Sequence, residues 1–234
     1  MQLFYTPDIN SDTYKLDKEE STHCVRVLRL KEGSQIHLTD GKGNLYKAQL
    51  LSADPKECIA EIIETIPDFG KKNFYLHIAI APTKNIERFE WFLEKATEIG
   101  IDEITPVFSE HSERNIIKPE RLQKIITSAV KQSLKAYHPI LNEAITYNQF
   151  LNLSFDCKKY IAHCEDDEKV TLQSAYKKAE NALILIGPEG DFSIAEIKKA
   201  IENNYLPVSL GNSRLRTETA GIVACHTINL LNEL

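Results

Sequence analysis

The sequence contains no apolar run that approaches the roughly 20 residues needed to cross a bilayer. Its first ten residues lack the basic and then apolar order of a secretory signal peptide. The five cysteines are scattered and form no Cys-x-x-Cys pair, which counts against a disulfide framework and against a zinc site. These absences predict a reducing compartment, and we expect a cytoplasmic location, no membrane association and no bound metal.

An excess of basic residues is also missing, because 28 Lys and Arg stand against 34 Asp and Glu, for a formal net charge of −6. Nucleic-acid binding depends on clustered cations that contact phosphates, so the overall charge counts against it. A local basic face can nevertheless lie on an acidic protein. A hypothesis of RNA binding therefore has to identify such a face.

The chain has two regions of different pattern. Up to about residue 70 it shows short alternating segments and tight turns, such as residues 40–44, which predict a small β-barrel. Residues 67–72 combine turn formers with charges and are typical of a linker. From residue 73 onward strand and helix patterns alternate, which predicts a mostly parallel α/β sheet. We therefore predict a barrel over residues 1–70 and an α/β domain over residues 73–234.

Two late strands of the α/β region end in unusual loops, and open α/β sheets bind ligands beyond the carboxyl ends of their strands. The first loop, residues 187–190, reads Gly-Pro-Glu-Gly and precedes a helix with a capping box at Ser193 and Glu196. It fits neither a Walker A loop nor the G-x-G-x-x-G pattern. A ligand loop and an ordinary strand-to-helix turn both remain open for it.

Three charged residues in these loops are candidates for chemistry. Glu189 lies in a tight turn where a carboxylate is not an obvious structural choice. Glu218 has a structural explanation, because a carboxylate in the first turn of a helix is favoured by the helix dipole. Arg216 precedes that helix, where a cation opposes the dipole and normally has an anionic partner. Arg216 therefore predicts an anionic partner or ligand.

Residues 185–190 and 210–220 resemble the paired loops of the bacterial 16S rRNA (uracil-N3)-methyltransferases, which belong to the SPOUT superfamily. Residues 23–29, 94–100 and 105–110 are similar to segments of the same family. The five segments span nearly the whole chain in the expected order.

The resemblance implies an α/β protein with a trefoil-knotted SPOUT methyltransferase domain, preceded by a small PUA-like β-barrel that binds RNA. It also implies S-adenosylmethionine as cofactor, 16S rRNA of the small ribosomal subunit as partner, and a homodimer. The cofactor-binding residues that it implies are Leu185, Gly187, Pro188, Glu189, Gly190, Leu210, Gly211, Leu215 and Arg216.

A uracil target sets the chemistry that the site has to supply. Uracil N3 carries a proton and is a poor nucleophile until that proton is lost, so the site requires a base or a stabilising charge. Our hypothesis is that Arg216 stabilises negative charge on the uracil carbonyl oxygens. Glu189 or Glu218 would accept the proton or orient Arg216, and the sequence does not decide between them.

A basic face is available in the first region. A helical pattern over residues 17–28 puts Cys24, Val27 and Leu28 on one arc. The residues roughly opposite are His23, Arg26 and Arg29. A later helix, predicted over residues 119–136, carries Lys124, Lys131 and Lys135 away from its apolar stripe. For either set, an ordinary solvated surface is the usual explanation. The resemblance favours RNA contacts, and His23, Arg26, Arg29 and Lys135 are the candidates.

The chain departs from the family in two places. Where the family pattern is Gln-Ser-Gly-Arg-x-Arg, residues 132–137 read Gln-Ser-Leu-Lys-Ala-Tyr. Lys135 keeps a positive charge there but lacks the bidentate geometry of arginine. Asn212 stands where family members often have proline. The solitary histidines, such as His77, His111 and His226, are expected to be structural.

Three other functions are compatible with parts of the pattern. A SPOUT enzyme that modifies tRNA would use the same loops, and a non-catalytic RNA-binding protein would keep the same fold. An α/β enzyme for a small acidic metabolite would use residues 187–190 as an anion site, but it leaves the barrel unexplained. Cofactor binding separates the enzymes from the non-catalytic protein.

Overall fold

The computed structural model describes residues 2–165 and 168–233. The chain divides into two compact units, which are described separately below. The first comprises Met1–Lys71 and Val130–His138, and the second comprises Lys72–Ala129 and Pro139–Leu234. No helix within the described ranges is long and apolar enough to cross a membrane.

The first unit is built on a five-stranded sheet with the order β1-β3-β4-β5-β2. Its elements are β1 (Leu3–Tyr5), β2 (Thr13–Lys15), helix α1 (Lys18–Thr22), a π-helical turn (His23–Val27), β3 (Gln35–Thr39), β4 (Leu45–Asp54) and β5 (Glu57–Ile66). β1 pairs with β3 in parallel, and the other pairs are antiparallel. Alternate residues of β3 and β4, such as Ile36, Leu38, Ala48 and Leu50, form the core.

The first unit also contains residues 130–138, which are distant in sequence from residues 1–71. The Oγ1 of Thr39 donates a hydrogen bond to the carbonyl of Ala136 over 3.2 Å. Tyr137 forms a β-bridge with Lys42, and the Nζ of Lys131 lies 2.5 Å from Glu20 Oε1. These contacts link residues distant in sequence, which the local pattern of a helix does not indicate.

The predicted helix over residues 17–28 changes its winding midway. Asp17 caps α1 by accepting a hydrogen bond from the Glu20 amide, and the turn that follows is π-helical, with the Leu28 amide donating to the His23 carbonyl. A π turn contains an additional residue. The predicted apolar arc is therefore wrong for Val27, which is 64% exposed. Val25 packs against the core instead.

The second unit alternates strands and helices, as predicted. Its elements are β6 (Leu76–Ile80), α2 (Ile86–Ile99), β7 (Glu103–Phe108), α3 (Pro119–Gln132, whose last three residues belong to the first unit), β8 (Ile140–Leu141), β9 (Ile145–Thr146), α4 (Tyr147–Leu151), β10 (Lys158–Ala162), β11 (Val170–Thr171), α5 (Leu172–Ala175), β12 (Ala182–Ile186), α6 (Ile194–Glu202), β13 (Leu206–Ser209) and α7 (Thr217–Glu233). The strands form a parallel sheet in the order β11-β13-β10-β12-β6-β7-β8, and β9 pairs with β7.

Local signals fix the ends of the helices that flank this sheet. Every residue of β6 and β12 is buried, as expected for central strands of a parallel sheet. Asn85 caps α2, which ends at Gly100 as predicted. Both hydrogen bonds of the predicted capping box at Ser193 are present in α6. Because the strands are parallel, the helices that follow them begin at the carboxyl edge of the sheet, where their amino termini face the same region.

Candidate active site

A cavity of about 890 Å³ lies at the carboxyl ends of three adjacent strands, β10, β12 and β13. Its walls are formed by residues 162–165, 186–191 and 208–217. Its volume is within the range of sites that enclose a cofactor or another small molecule. The sheet thus brings together the two loops that the sequence singles out.

Eight of the predicted cofactor residues line this cavity: Gly187, Pro188, Glu189, Gly190, Leu210, Gly211, Leu215 and Arg216. The ninth, Leu185, is fully buried one residue before the end of β12. Its side chain packs in the core with Ala79 and Leu183. Leu185 is therefore a core residue of the strand that leads into the loop.

The loop after β12 is attached to the loop after β6 through Glu189. The Oε1 of Glu189 accepts a hydrogen bond of 2.9 Å from the Lys84 amide. The carbonyls of Thr83 and Lys84 in turn accept hydrogen bonds of 3.0 and 2.7 Å from the Arg114 guanidinium. Glu189 Oε2 is buried and has no hydrogen-bond partner in the described part of the chain. One carboxylate oxygen thus has a structural partner, and the other can accept a hydrogen bond from a ligand.

His111 holds the same loop from another side. Its Nδ1 lies 3.0 Å from the Gly190 carbonyl and 3.1 Å from the Asp191 carbonyl, so Nδ1 carries the proton. A methyl group on Gly190 would come within 3.0 Å of His111 Cβ, which explains the glycine there. No local sequence pattern indicates that this histidine contacts the loop, because residues 111 and 190 are brought together only by the sheet.

Asp191 connects the loops that follow β10 and β12. Its backbone is in the left-handed region, with φ of 61°. Its Oδ2 accepts a hydrogen bond of 2.6 Å from the Cys164 amide, and its Oδ1 accepts one of 2.8 Å from the Phe192 amide. Burial, and then the nearby Asp191 carboxylate, raise the pKa of the Cys164 thiol. Residues 162–165 were not among the predicted site residues, although their position at the end of a central strand is a signal for a ligand-binding loop.

The loop after β13 has a different character. Residues 211–214 and Arg216 are exposed. Ser209 Oγ donates a hydrogen bond to the Gly211 carbonyl and accepts one from the Gly211 amide. Gly211 has φ of +132°, a conformation that favours glycine. The Arg216 carbonyl accepts a hydrogen bond from the Ala220 amide at the start of α7. Arg216 therefore lies where this exposed loop meets the first turn of α7.

Glu218 lies in the first turn of α7 and is only 6% exposed. Its Oε1 is 3.9 Å from Arg88 Nε. Its Oε2 is buried, and no hydrogen-bond partner for it occurs within residues 2–165 or 168–233. A buried carboxylate oxygen without a donor is unfavourable, so this atom indicates a ligand that supplies one.

Glu218 faces a second cleft of about 570 Å³ that adjoins the cavity. The residues that line this cleft are Asn85, Glu87, Arg88, Trp91, Arg214, Leu215, Arg216, Glu218 and Thr219. Three of them, Arg214, Leu215 and Arg216, also line the cavity. Arg216 therefore borders both spaces.

The candidate RNA-binding residues all belong to the first unit. His23, Arg26 and Arg29 are exposed on and just after the π-helical turn, and Lys135 is partly buried beyond the end of α3. Lys131, from the other predicted basic set, forms an ion pair with Glu20. The exposed positions of the first three residues are compatible with phosphate contacts.

The chain matches two family models. Residues 70–229 match an RNA methyltransferase domain, and residues 16–63 match an RNA methyltransferase PUA domain. A curated relative, ribosomal RNA small subunit methyltransferase E of Synechocystis sp., is 31% identical over 94% of this chain and 74% of its own length.

Solved structures agree with these matches over the full chain. A probable rRNA-methyltransferase from Porphyromonas gingivalis is 43% identical, with a TM-score of 0.92, and covers 100% of this chain and 99% of its own. Ribosomal RNA small subunit methyltransferase E of Neisseria gonorrhoeae, bound to S-adenosyl methionine, is 27% identical with a TM-score of 0.87, and the match covers 99% of this chain and 98% of that one. The chain belongs to the ribosomal RNA small subunit methyltransferase E family.

Proposed function

We propose that this protein transfers the methyl group of S-adenosylmethionine to N3 of a uridine in 16S rRNA of the small ribosomal subunit. The observation that carries the proposal is the position of Arg216, between a cofactor-sized cavity and a cleft that contains a buried carboxylate oxygen with no hydrogen-bond partner among the described residues. The relatives' names support the class of substrate, and the cofactor in the Neisseria structure supports the methyl donor.

The cavity fits this cofactor by the chemistry of its walls. S-adenosylmethionine supplies, when bound, an electrophilic methyl group on a sulfonium. The loops at residues 186–191 and 208–217 would enclose the nucleoside with apolar surface from Leu210 and Leu215 and with backbone groups. The unpartnered Oε2 of Glu189 is a hydrogen-bond acceptor for a hydroxyl or amine of the cofactor.

The structure favours different roles for the two candidate carboxylates. Glu189 already accepts a hydrogen bond from the Lys84 amide, which fits a role in shaping the cofactor loop. Glu218 Oε2 is unengaged in the cleft that Arg216 also lines. Glu218 would therefore accept the N3 proton, and the Arg216 guanidinium would stabilise the negative charge that develops on a uracil carbonyl oxygen.

Contact with the rRNA falls to the first unit in this proposal. The residues that would bind phosphates and position the RNA are His23, Arg26, Arg29 and Lys135. Contacts with phosphates do not recognise the base sequence. A homodimer, a trefoil knot in the second unit and a cytoplasmic location remain predictions from the family resemblance. The target base has to leave its stack or be unpaired before it enters the cleft.

A methyl-transfer assay tests the proposal. Purified protein is incubated with labelled S-adenosylmethionine and small subunits that lack their base methylations, and the RNA is digested to nucleosides. We expect label in 3-methyluridine of 16S rRNA. A ribose-methylated product, or label only in added tRNA, would contradict the proposed reaction, and an absence of cofactor binding would favour a non-catalytic protein. Lys198→Ala, an exposed cation on α6, is a matched control for arginine variants.

A further inference from the structure

We propose that the cleft lined by Arg88, Trp91 and Glu218 binds the acceptor base and selects uracil over cytosine. The inference rests on the proposed function and adds two residues on α2 to it: Trp91 as a stacking surface and Arg88 as a positioning residue. Neither residue stands out in the sequence.

The carboxylate of Glu218 sets the chemistry of the cleft. The side chain alone is 8% exposed, and its Oε2 has no hydrogen-bond partner in the described residues. An ionised carboxylate only accepts hydrogen bonds. The ligand that fits this atom therefore presents an N–H or O–H group to the interior of the cleft.

Two of the three arginines that line the cleft, Arg88 and Arg216, place donors beside the acceptor Glu218. Arg88 Nε is 3.9 Å from Glu218 Oε1, a distance that keeps the charges close but exceeds a hydrogen bond. Arg216 lines the same cleft. Uracil presents the complementary edge, because its N3–H donor lies between the O2 and O4 acceptors. Cytosine presents a lone pair at N3 and an amino group at C4, which would face the carboxylate and a guanidinium unfavourably.

Trp91 supplies the remaining element of a base-binding site. It lies three residues after Arg88 on α2, so the two side chains share a face of the helix. The opposite face, with Phe89, Phe92 and Leu93, is buried, whereas Trp91 is 44% exposed. Stacking on an aromatic ring strengthens binding by about 5- to 150-fold for each base. The exposed indole beside two arginines therefore fits a flipped base.

The position of the cleft agrees with this role. Leu215 and Arg216 form part of the wall of both the cleft and the cofactor cavity. A base in the cleft would thus be a neighbour of the cofactor, and methyl transfer requires such proximity.

Steady-state kinetics on undermethylated small subunits test the two residues separately. We expect Trp91→Ala to raise KM by about 10-fold and Trp91→Phe to stay near the wild type, because phenylalanine still stacks. We expect Arg88→Gln to lower kcat by about 10- to 100-fold and Arg88→Lys to recover part of it, because lysine keeps the charge beside Glu218. Thermal melts of all four variants identify any that fail to fold.

The product formed by the wild-type protein distinguishes a failure of the cleft assignment from a failure of the proposed function. If wild-type protein forms 3-methyluridine while Trp91→Ala and Arg88→Gln keep wild-type constants, the cleft assignment is wrong and the proposed function stands. If wild-type protein forms another product, the proposed function itself fails.

The single tryptophan of the sequence makes a direct binding measurement possible. With saturating S-adenosylhomocysteine, we expect a uridine pentanucleotide to quench Trp91 fluorescence at about 10-fold lower concentration than a cytidine pentanucleotide. Equal quenching by both, or none at concentrations that compete with subunit methylation, would overturn the proposal. Sedimentation of the wild type and of Trp91→Ala completes the test, because a wild-type dimer that the variant fails to form would assign the cleft to a second copy of this chain.

Discussion

The two loops that form the cavity of the second unit differ in how completely the protein satisfies their polar groups. The loop after β12 has contacts from three directions: the Lys84 amide on Glu189, the His111 ring on the Gly190 carbonyl, and the Cys164 amide on Asp191. The loop after β13 is exposed from residue 211 to 214, and among residues 2–165 and 168–233 its side-chain hydrogen bonds are those between Ser209 and Gly211.

This difference indicates different roles for the two loops. The loop after β12 forms a preformed wall of the cavity, and the loop after β13 forms an adaptable wall. The first loop needs no ligand to hold its shape, so its backbone is ready for a cofactor before one arrives. The second loop carries the cation proposed for catalysis, Arg216, on exposed backbone that a ligand can order. Loops of low local stability commonly bind ligands, because ordering them is part of the binding event.

Removing the cation from the adaptable loop should have the largest effect. We expect Arg216→Ala to lower kcat by about 100- to 1000-fold, the loss typical of a group that stabilises transition-state charge. Cofactor affinity, measured by calorimetry, should change by less than about 5-fold, because the preformed wall is intact. The Lys198→Ala protein provides the control for loss of a surface charge.

Full activity of Arg216→Ala with normal cofactor binding would contradict the assigned role. A loss confined to cofactor affinity would instead show that Arg216 binds the cofactor and takes no part in catalysis. The two loops would then share the same role.

A change in the preformed wall should act on affinity. Glu189→Gln retains an oxygen for the Lys84 amide but replaces the unpartnered Oε2 with an amide donor. We expect the dissociation constant for S-adenosylmethionine to rise by about 10-fold, the equivalent of roughly 1.4 kcal/mol, with kcat at saturation nearly unchanged. Calorimetry and saturation kinetics measure these two quantities. A fall in kcat with unchanged affinity would indicate that Glu189, and not Glu218, is the proton acceptor.

A pair of glycine substitutions compares the loops directly. Gly190→Ala brings a methyl group within 3.0 Å of His111 Cβ, so it should strain a well-bonded loop. Gly211→Ala has open space around the methyl group, but its φ of +132° disfavours alanine. We expect Gly190→Ala to cost about 1–2 kcal/mol, seen as a fall in Tm of roughly 2–8 °C. For Gly211→Ala the loop should relax, and weaker cofactor binding should be the main result. Equal falls in Tm would show that both loops are equally constrained.

Sequence patterns predict most of the second unit because its signals are local. The cap at Asn85, the end of α2 at Gly100 and the capping box at Ser193 are each decided within four residues. The parallel sheet then places the ends of β12 and β13 near one another, so the pairing of the two loops follows from topology.

What the sequence does not show depends on contacts between distant residues. His111 reaches residue 190, and Arg88 reaches residue 218, only through the order of the strands and the packing of α7 on α2. The π-helical turn at His23–Val27 is a change in winding that a fixed helical period does not anticipate.

Leu134 shows how a departure from the family pattern is accommodated in the first unit. The family pattern has glycine at this position, and Leu134 adopts φ of 58°, a conformation that glycine adopts more easily. Its side chain packs against Leu3, Leu45 and Ala136, contacts that a glycine would not make. The substitution is visible in the sequence, but the packing of Leu134 that compensates for its backbone conformation is visible only in the structure.

The smallest expected effect is a change in the hydrogen-exchange rates of the amides in the two loops when the cofactor binds. In the preformed wall, the Asp191 amide donates to the Pro188 carbonyl and the Phe192 amide donates to Asp191 Oδ1, so both should exchange slowly in the free protein. We expect S-adenosylmethionine to slow them by less than about 3-fold, but to slow the amides of residues 211–214 by about 10-fold or more. Equal protection of both loops would mean that the cofactor orders the whole cavity. In that case the hydrogen bonds to Glu189, Gly190 and Asp191 would describe only one member of an ensemble, and the difference in catalytic role would have to come from Arg216 alone.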